Sequence, residues 1–183
     1  QYTQAARDQI QETIARSDTF DILHYAIHLD LTSVQAAAFK AHTTITFSPR
    51  MDGQQHIRFG LFQLTVDSVV GPDGLLDHTH DGQYLDIQSE APFEVGSEHT
   101  ITVYYHGTPH RDSEWGGFYY EGGYIYNLGI GLSTVPPNFG KVWYPCFDSF
   151  VERATYTYHV KTAGGRRLHG QGRPSSRDNS RCT

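Results

Sequence analysis

The sequence predicts an all-β fold: a sandwich or curved sheet of mostly antiparallel strands, with one short N-terminal surface helix. Three observations predict it: apolar residues alternate with a period of two, Gly and Asp separate the alternating runs, and aromatic residues are abundant. The 183 residues include 12 Tyr, 10 Phe and 18 Gly but one Met. Aromatic side chains pack well on a pleated surface, and Gly supplies turn geometry. A chain of this length predicts one domain with a sizeable core.

The first segment carries the only helical pattern. Ala6, Ile10 and Ile14 recur at every fourth position among polar residues within 3–15. Because this apolar stripe is narrow, the helix is expected to lie on the surface. We therefore interpret residues 1–17 as a helical extension of the domain.

Strands follow, and each shows the alternation of a half-buried strand. The runs are Tyr25 to Leu31, Ala41 to Phe47, Ile57 to Leu61, Ile101 to Tyr105 and Ala154 to Val160. Turn sequences lie between them, at Met51-Asp52-Gly53, Gly71-Pro72-Asp73-Gly74 and Asp81-Gly82. The apolar face changes parity at Leu61-Phe62, which predicts a bulge or a strand that bends between two sheets.

The alternation stops between about residues 108 and 137, where Gly and Tyr dominate. This region contains Trp115, Tyr119, Tyr120, Tyr124 and Tyr126. Such an aromatic loop is either packed against another surface or exposed for binding. We expect the segment 115–137 to expose an aromatic patch.

Charge and composition exclude several functions. The net charge is −6, and the segment 164–183 has five Arg and one Asp, so the rest of the chain is more acidic still. An acidic body argues against nucleic acid as a partner. The absence of a run of about 20 apolar residues argues against a membrane span.

We interpret 18–163 as the β-domain and 164–183 as an irregular basic tail. The start at Gln1 favours an exported protein, either periplasmic or secreted.

Single residues give only weak support for a metal site or a catalytic nucleophile. His78 and His80 share a strand face and could chelate a metal, but zinc needs further ligands, so we favour solvated histidines and no metal site. Only Cys146 and Cys182 are present, which gives no disulfide framework and no zinc-thiolate site. Cys146 is interpreted as a buried small hydrophobe rather than a nucleophile. Asp148 is expected to accept backbone or Arg hydrogen bonds, with Arg153 as a partner.

Three motifs carry a family resemblance. Lys141-Val142-Trp143-Tyr144-Pro145-Cys146-Phe147-Asp148, called the hallmark below, precedes a strand that begins Arg153-Ala154-Thr155-Tyr156. Phe20 to Leu31 and Gly116-Gly117-Phe118-Tyr119 come before it. In this order the motifs resemble the N-terminal domain of the M1 (gluzincin) family of zinc aminopeptidases, over about residues 18 to 161. The resemblance identifies Trp143, Pro145, Cys146, Asp148 and Arg153 as structural hallmark residues.

The resemblance implies a saddle-like, non-catalytic β-domain. In the family this domain packs on a thermolysin-like catalytic domain and closes one end of the active-site cleft. The parent enzyme would bind zinc and a peptide substrate, and a zinc-bound water activated by a glutamate would attack the peptide carbonyl. His-Glu-x-x-His and Gly-x-Met-Glu-Asn do not occur in this sequence. We therefore expect no catalytic residue, metal ligand or cofactor in this chain, and a catalytic domain of the same polypeptide as its partner.

The resemblance also places part of the cleft wall. The residues concerned are Glu121, Leu132, Ser133 and Thr134. Family members carry Gln or Glu about 10 to 12 residues before the hallmark proline, where this sequence offers hydroxyls and carbonyls. The family's Asp-Glu-Pro is also replaced, by Asp148-Ser149-Phe150, as in a divergent branch.

A second hypothesis comes from another class of protein. A stand-alone secreted β-sandwich module could bind a glycan or peptide through the aromatic loop from Trp115 to Tyr126, because flat rings suit apolar sugar faces. A reading frame that continues into a His-Glu-x-x-His helix would favour the peptidase domain. In the peptidase interpretation, the fragment alone is expected to self-associate through its exposed patch.

Overall fold

Three β-sheets and one helix make up the computed structural model, which describes residues 3–33, 38–134, 136–149 and 152–163. The elements in order are α1 Gln4–Thr19, β1 Phe20–Asp30, β2 Phe39–Pro49, β3 His56–Gly60, β4 Thr65–Gly71, β5 Gly74–Leu75, β6 Asp77–His80, β7 Tyr84–Gln88, β8 His99–Gly107, β9 Gly116–Glu121, β10 Tyr124–Gly131, a 3-10 turn Gly140–Val142 and β11 Thr155–Lys161. The sheets have the strand orders β11-β1-β2-β8-β4-β5, β3-β7-β6 and β9-β10. The predicted all-β fold with one N-terminal helix is confirmed.

The six-stranded sheet has the predicted alternation. β1 buries Tyr25, Ile27 and Leu29 on one face. β2 buries Ala41, Thr43, Ile45 and Phe47 in the same way. β8 buries Ile101, Val103 and Tyr105. These buried faces fix the register in which the strands pair, because a slip of one residue would turn every apolar side chain of a strand towards the solvent. All pairs are antiparallel except β1 with β11, which run parallel.

The helix differs in detail from the sequence prediction. It begins with an N-cap at Thr3, whose hydroxyl accepts a hydrogen bond from Ala6 N at 3.2 Å, and it runs to Thr19, beyond the predicted 3–15. Its fully buried residues are Ala6, Thr13 and Ser17, while Ile10 and Ile14 are half-buried. Small and hydroxyl-bearing side chains therefore form the contact line, and the isoleucines lie at its edge. The helix lies on the surface, as predicted.

The parity change at Leu61-Phe62 marks a crossing between sheets. β3 ends at Gly60 in the three-stranded sheet, and β4 begins at Thr65 in the six-stranded sheet. Gln63, between them, has a φ of 56°, a left-handed conformation that side chains other than Gly rarely adopt. The parity change, predicted as a bulge or a strand that bends between two sheets, thus lies at the connection between two separate strands of different sheets.

The region with no alternation contains a β-hairpin. β9 and β10 pair antiparallel, with Glu121 opposite Tyr124 and Phe118 opposite Asn127. The sequence pattern missed it because β10 has mostly exposed residues on both faces. At Gly116, which has a φ of 143°, a Cβ would overlap the carbonyl oxygen of Ile130, so only Gly allows this approach.

Candidate substrate-cleft surface

The hallmark joins the two larger sheets. Gly60 N donates to Cys146 O at 2.7 Å, and Cys146 N donates back to Gly60 O at 3.1 Å. Phe62 N donates to Lys141 O at 2.7 Å. The two bonds with Gly60 continue the edge of β3, and the bond with Phe62 lies in the segment that leads to β4. The hallmark is therefore held by backbone hydrogen bonds at Cys146, to Gly60 of β3, and at Lys141, to Phe62 in the segment after β3.

The hallmark side chains form core. Trp143, Pro145 and Cys146 are buried, Cys146 to 2% exposure. Burial raises the pKa of the Cys146 thiol, because an apolar surrounding disfavours the thiolate. The predicted burial of Cys146 is confirmed. The carbonyl of Trp143 accepts a hydrogen bond at 3.0 Å from the buried hydroxyl of Tyr105, which ties the hallmark to β8.

Asp148 closes the hallmark. Its φ is 50°, and its Oδ1 accepts a hydrogen bond from Gly140 N at 2.9 Å. Lys141 Nζ lies 3.4 Å from Oδ2, and both side chains are largely buried. The predicted backbone hydrogen bond is present, but the cationic partner is Lys141 rather than Arg153, which is exposed. Lys141 is better placed because the 3-10 turn at Gly140–Val142 brings it back over Asp148.

Asp112 organises the candidate cleft wall. Its carboxylate accepts hydrogen bonds from Ser133 Oγ at 2.7 Å and Ser133 N at 3.0 Å, and from the amides of Glu114 and Trp115 at 3.0 Å each. Burial alone would raise the pKa of Asp112, but the hydrogen bonds from Ser133, Trp115 and Glu114 outweigh it and lower the pKa to about 2. One carboxylate thus holds two loops together.

The structure brings together three of the four predicted cleft residues. Leu132 N donates to Trp115 O at 3.0 Å, and Thr134 Oγ1 donates to Gly131 O at 3.2 Å. Leu132, Ser133 and Thr134 therefore lie at the open end of the β9–β10 hairpin. Glu121 lies at its other end, beside the turn, where it pairs with Arg111 at 2.8 Å. The two ends are separated by about 15 Å of strand, so Glu121 does not join the others.

Large apolar side chains stand exposed along the hairpin. Trp115 is 49% exposed, Tyr124 75% and Leu132 56%. With the half-exposed Tyr126 and Ile130, these residues are called the hairpin surface. The predicted exposure of Trp115 and Tyr124 is confirmed. Contiguous exposed apolar side chains of this kind mark interaction sites on soluble proteins.

A pocket of about 260 Å³ opens between α1 and the hallmark. Thr134 reaches its wall, together with Lys141 and Asp148 from the hallmark and Arg16 and Tyr84 from the opposite side. The Arg16 guanidinium lies over the Tyr84 ring at 5.2 Å from its centre, a cation–π contact. The candidate cleft wall thus continues into a concave surface.

His78 and His80 both contact backbone carbonyl groups. A ring nitrogen of His80 lies 2.7 Å from Leu61 O, and one of His78 lies 3.2 Å from Leu76 O. Within the described ranges, no three His, Cys, Asp or Glu side chains are grouped so that they could hold a metal ion. No helix in these ranges is long and apolar enough to span a membrane.

Solved structures of M1 zinc metallopeptidases and of LTA4 hydrolase share this fold. No protein-family profile and no curated protein sequence match the chain. An M1 zinc metallopeptidase from Deinococcus radiodurans matches with a TM-score of 0.68 and 21% identity, over 79% of this chain and 32% of that one. A variant of it bound to a Tyr-Ser-Ala substrate matches with a TM-score of 0.69 and 20% identity, over 79% and 33%. Yeast LTA4 hydrolase matches with a TM-score of 0.58 and 17% identity, over 79% and 23%.

The matched region is the N-terminal part of each peptidase. The chain therefore has the fold found at the N-terminus of M1 zinc metallopeptidases, as the three sequence motifs predicted. It spans about a third of the length of the Deinococcus structures.

Proposed function

We propose that this chain is the N-terminal β-domain of an M1-type zinc aminopeptidase and that catalysis takes place in a separate, thermolysin-like domain. The hairpin surface packs on that domain, and Leu132, Ser133 and Thr134 form part of the wall of the peptide-binding cleft. Zinc and the peptide are bound by the parent enzyme, and this domain shapes the space available to the substrate.

One observation carries the proposal: the exposed hairpin surface adjoins a rigidly held loop. Trp115 and Leu132 are linked by a backbone hydrogen bond, and Asp112 fixes the loops on both sides of it. A surface built for contact needs such preorganisation, because ordering flexible loops on binding costs free energy. This surface comes just before the hallmark in the sequence, and the family resemblance implies a cleft wall there, which supports the proposal.

The hydroxyls of Ser133 and Thr134 are both engaged. Ser133 Oγ donates to Asp112, and Thr134 Oγ1 donates to Gly131 O. Neither side chain carries a charge for the amino terminus of a peptide. We therefore assign this domain a steric part in substrate selection and leave ionic recognition of the amine to the catalytic domain.

The test is binding between this chain and a separately produced M1-type catalytic domain encoded in the same genome. We expect a complex measurable by calorimetry, and Trp115→Ser and Leu132→Ser should each weaken it at least about tenfold, since exposed anchors at interfaces contribute more than about 1.4 kcal/mol. Leu75→Ser is the matched control, because Leu75 is 78% exposed on the short strand β5, outside the hairpin surface.

Two outcomes would reject the proposal. One is a genome with no catalytic domain of this type, either in the same reading frame or separate. The other is specific binding of a glycan that is lost in Trp115→Ser, which would support the stand-alone binding module instead.

A further inference from the structure

A second, smaller cavity lies away from the hairpin surface, between β1, β11 and the hallmark. Its volume is about 70 Å³. Oxygen-bearing side chains dominate its lining, namely Tyr25, Asn138, Tyr144, Asp148, Glu152 and Tyr156. A polar cavity of this size holds two or so water molecules or one ion, since a single water needs about 10 to 15 Å³ of such space.

Tyr25 presents an unpartnered hydroxyl to this cavity. The residue is 1% exposed, and its hydroxyl makes no hydrogen bond of good geometry in the part of the chain that the structure describes, although the Phe147 backbone lies near it. The ring is fixed by stacking on Tyr156, with centres 5.3 Å apart, and by an edge contact with Tyr144 at 5.5 Å. Leaving a buried hydroxyl unpaired costs free energy. Because the ring is held in place, a further partner of this hydroxyl would lie inside the cavity.

The cavity also has an excess of negative charge. Asp148 is neutralised by Lys141, whose ammonium lies 3.4 Å from Oδ2. Glu152 accepts a long hydrogen bond from Ile22 N at 3.4 Å. Burial raises the pKa of Glu152 more than Ser17, Ile22 N and Arg50 together lower it. The Arg50 guanidinium forms its ion pair with Asp21, at 2.8 Å, so within the described residues Glu152 has no ion pair of its own.

We propose that this cavity binds a monovalent cation of the size of potassium or ammonium. The hydroxyl oxygens of Tyr25, Tyr144 and Tyr156 and the carboxylate of Glu152 provide its oxygen ligands, as hard cations prefer. A single positive charge matches the single uncompensated carboxylate, whereas a divalent ion would be repelled by the nearby Lys141. The bound ion would link β1 and β11 to the segment that follows the hallmark.

The test is thermal unfolding of the 183-residue chain in chloride salts at about 100 mM and constant ionic strength. Potassium, rubidium and ammonium should raise the Tm by about 3 °C or more relative to tetramethylammonium, which is too large for the cavity, if the ion binds with a Kd near 10 mM. Tyr25→Phe and Glu152→Gln should abolish this difference. Tyr25→Phe removes an unpartnered hydroxyl only, so it is expected to fold.

Controls and a second readout make the result decisive. Tyr124→Phe and Glu121→Gln change the same residue types on the exposed hairpin and should keep the full ion effect. Crystals grown in rubidium chloride should show an anomalous peak beside Tyr25. Equal Tm values in all the salts, an ion effect that survives in Tyr25→Phe, or a cavity with density for water only would each overturn the proposal.

Discussion

Cys146 combines a buried side chain with two backbone hydrogen bonds to Gly60. Its thiol fills space between the sheets, so Cys146→Ala should lower the free energy of unfolding by about 1 to 3 kcal/mol, as expected for a small buried hydrophobe. Urea denaturation measures this. In a Cys182→Ser background, the Cys146 thiol should react with Ellman's reagent at least about a hundred times more slowly in native than in unfolded protein. Equal rates would show that the thiol is accessible.

Asp112 should control the order of the loops at the open end of the hairpin. In Asp112→Asn an amide nitrogen replaces one acceptor oxygen and faces backbone N–H groups, so amide exchange at Trp115 and Ser133 should accelerate. Because the folded pKa of about 2 is below the unfolded value of 3.8, the carboxylate stabilises the fold above about pH 4, and this stabilisation is lost as the pH falls towards 2.

Acid unfolding provides the measurement for Asp112. The variant should show a weaker pH dependence between pH 4 and 2 than the parent protein. Asp73→Asn, in the exposed turn before β5, is the matched control and should keep the parent's pH dependence. If both variants behave like the parent, the Asp112 hydrogen bonds do not hold the loops.

Sequence reasoning predicted the hallmark and missed Asp112. Pro145 and Phe147, the residues on either side of Cys146, indicate burial locally, so its environment could be predicted from neighbours in the chain. The contact between Asp112 and Ser133 joins residues 21 positions apart, and nothing in a single sequence pairs them. The available signal was local: Asp112 precedes Ser113 and Glu114 ahead of Gly116, a composition typical of a turn in which Asp accepts backbone N–H groups.

Three histidines form a stacked row across β11, β1 and β2. His28 lies between His159 and His42, with ring centres 4.0 and 4.2 Å apart and planes within 13° of parallel. Tyr104 of β8 continues the row beside His42. Burial, and then the neighbouring imidazoles, lower the pKa of His28 and of His42. Protonation of these rings would bring like charges together on the outer face of the sheet.

The row should make the sheet sensitive to acid. A lowered folded pKa means that the stabilisation is complete above the unfolded value of about 6.5 and decreases as the pH falls below it. We expect the urea midpoint to fall between pH 7 and 5, and His28→Gln to reduce that slope. The nearby charged pair Asp30 and Lys161 is retained in the variant.

His56→Gln is the matched control for the histidine row. His56 is exposed at the start of β3, outside the row, so this variant should keep the parent's slope. A slope that is the same in all three proteins would contradict the prediction.

At the level of elements, the sequence predicted strands better than their partners. The alternation in Tyr25 to Leu31 and in Ala154 to Val160 indicates two strands. Their parallel pairing, with His28 opposite His159, joins segments about 130 positions apart and leaves no mark on either. The β9–β10 hairpin was missed because β10 is exposed on both faces, so apolar and polar residues need not alternate along it. Gly122-Gly123, between its strands, is nevertheless a typical hairpin turn.

The whole molecule presents two unlike surfaces. The outer face of the six-stranded sheet carries polar residues such as Thr44, Thr102 and the histidine row, whereas the hairpin surface is apolar and aromatic. The motifs predicted the fold because their residues are core or turn residues whose roles are local. In the proposed peptidase a second domain would also contribute to the cleft wall, so the sequence of this domain alone does not define that wall.

Self-association should follow from the hairpin surface when the chain is studied alone. Water-exposed apolar area is reduced when two copies bury it against each other, at roughly 25 cal/mol per Å² before the cost of association. We therefore expect a concentration-dependent rise in weight-average mass in analytical ultracentrifugation, together with binding of the dye ANS to the monomer. The rise in mass and the ANS binding should both decrease in the double variant Trp115→Ser/Tyr124→Ser, because these two side chains are among the most exposed of the hairpin surface.

Met51→Ser is the control, because it removes an apolar side chain of similar exposure from the β2–β3 turn. It should leave the rise in mass and the ANS binding unchanged. A strict monomer at all concentrations, or an equal loss of association in Met51→Ser, would show that the hairpin surface does not drive contact.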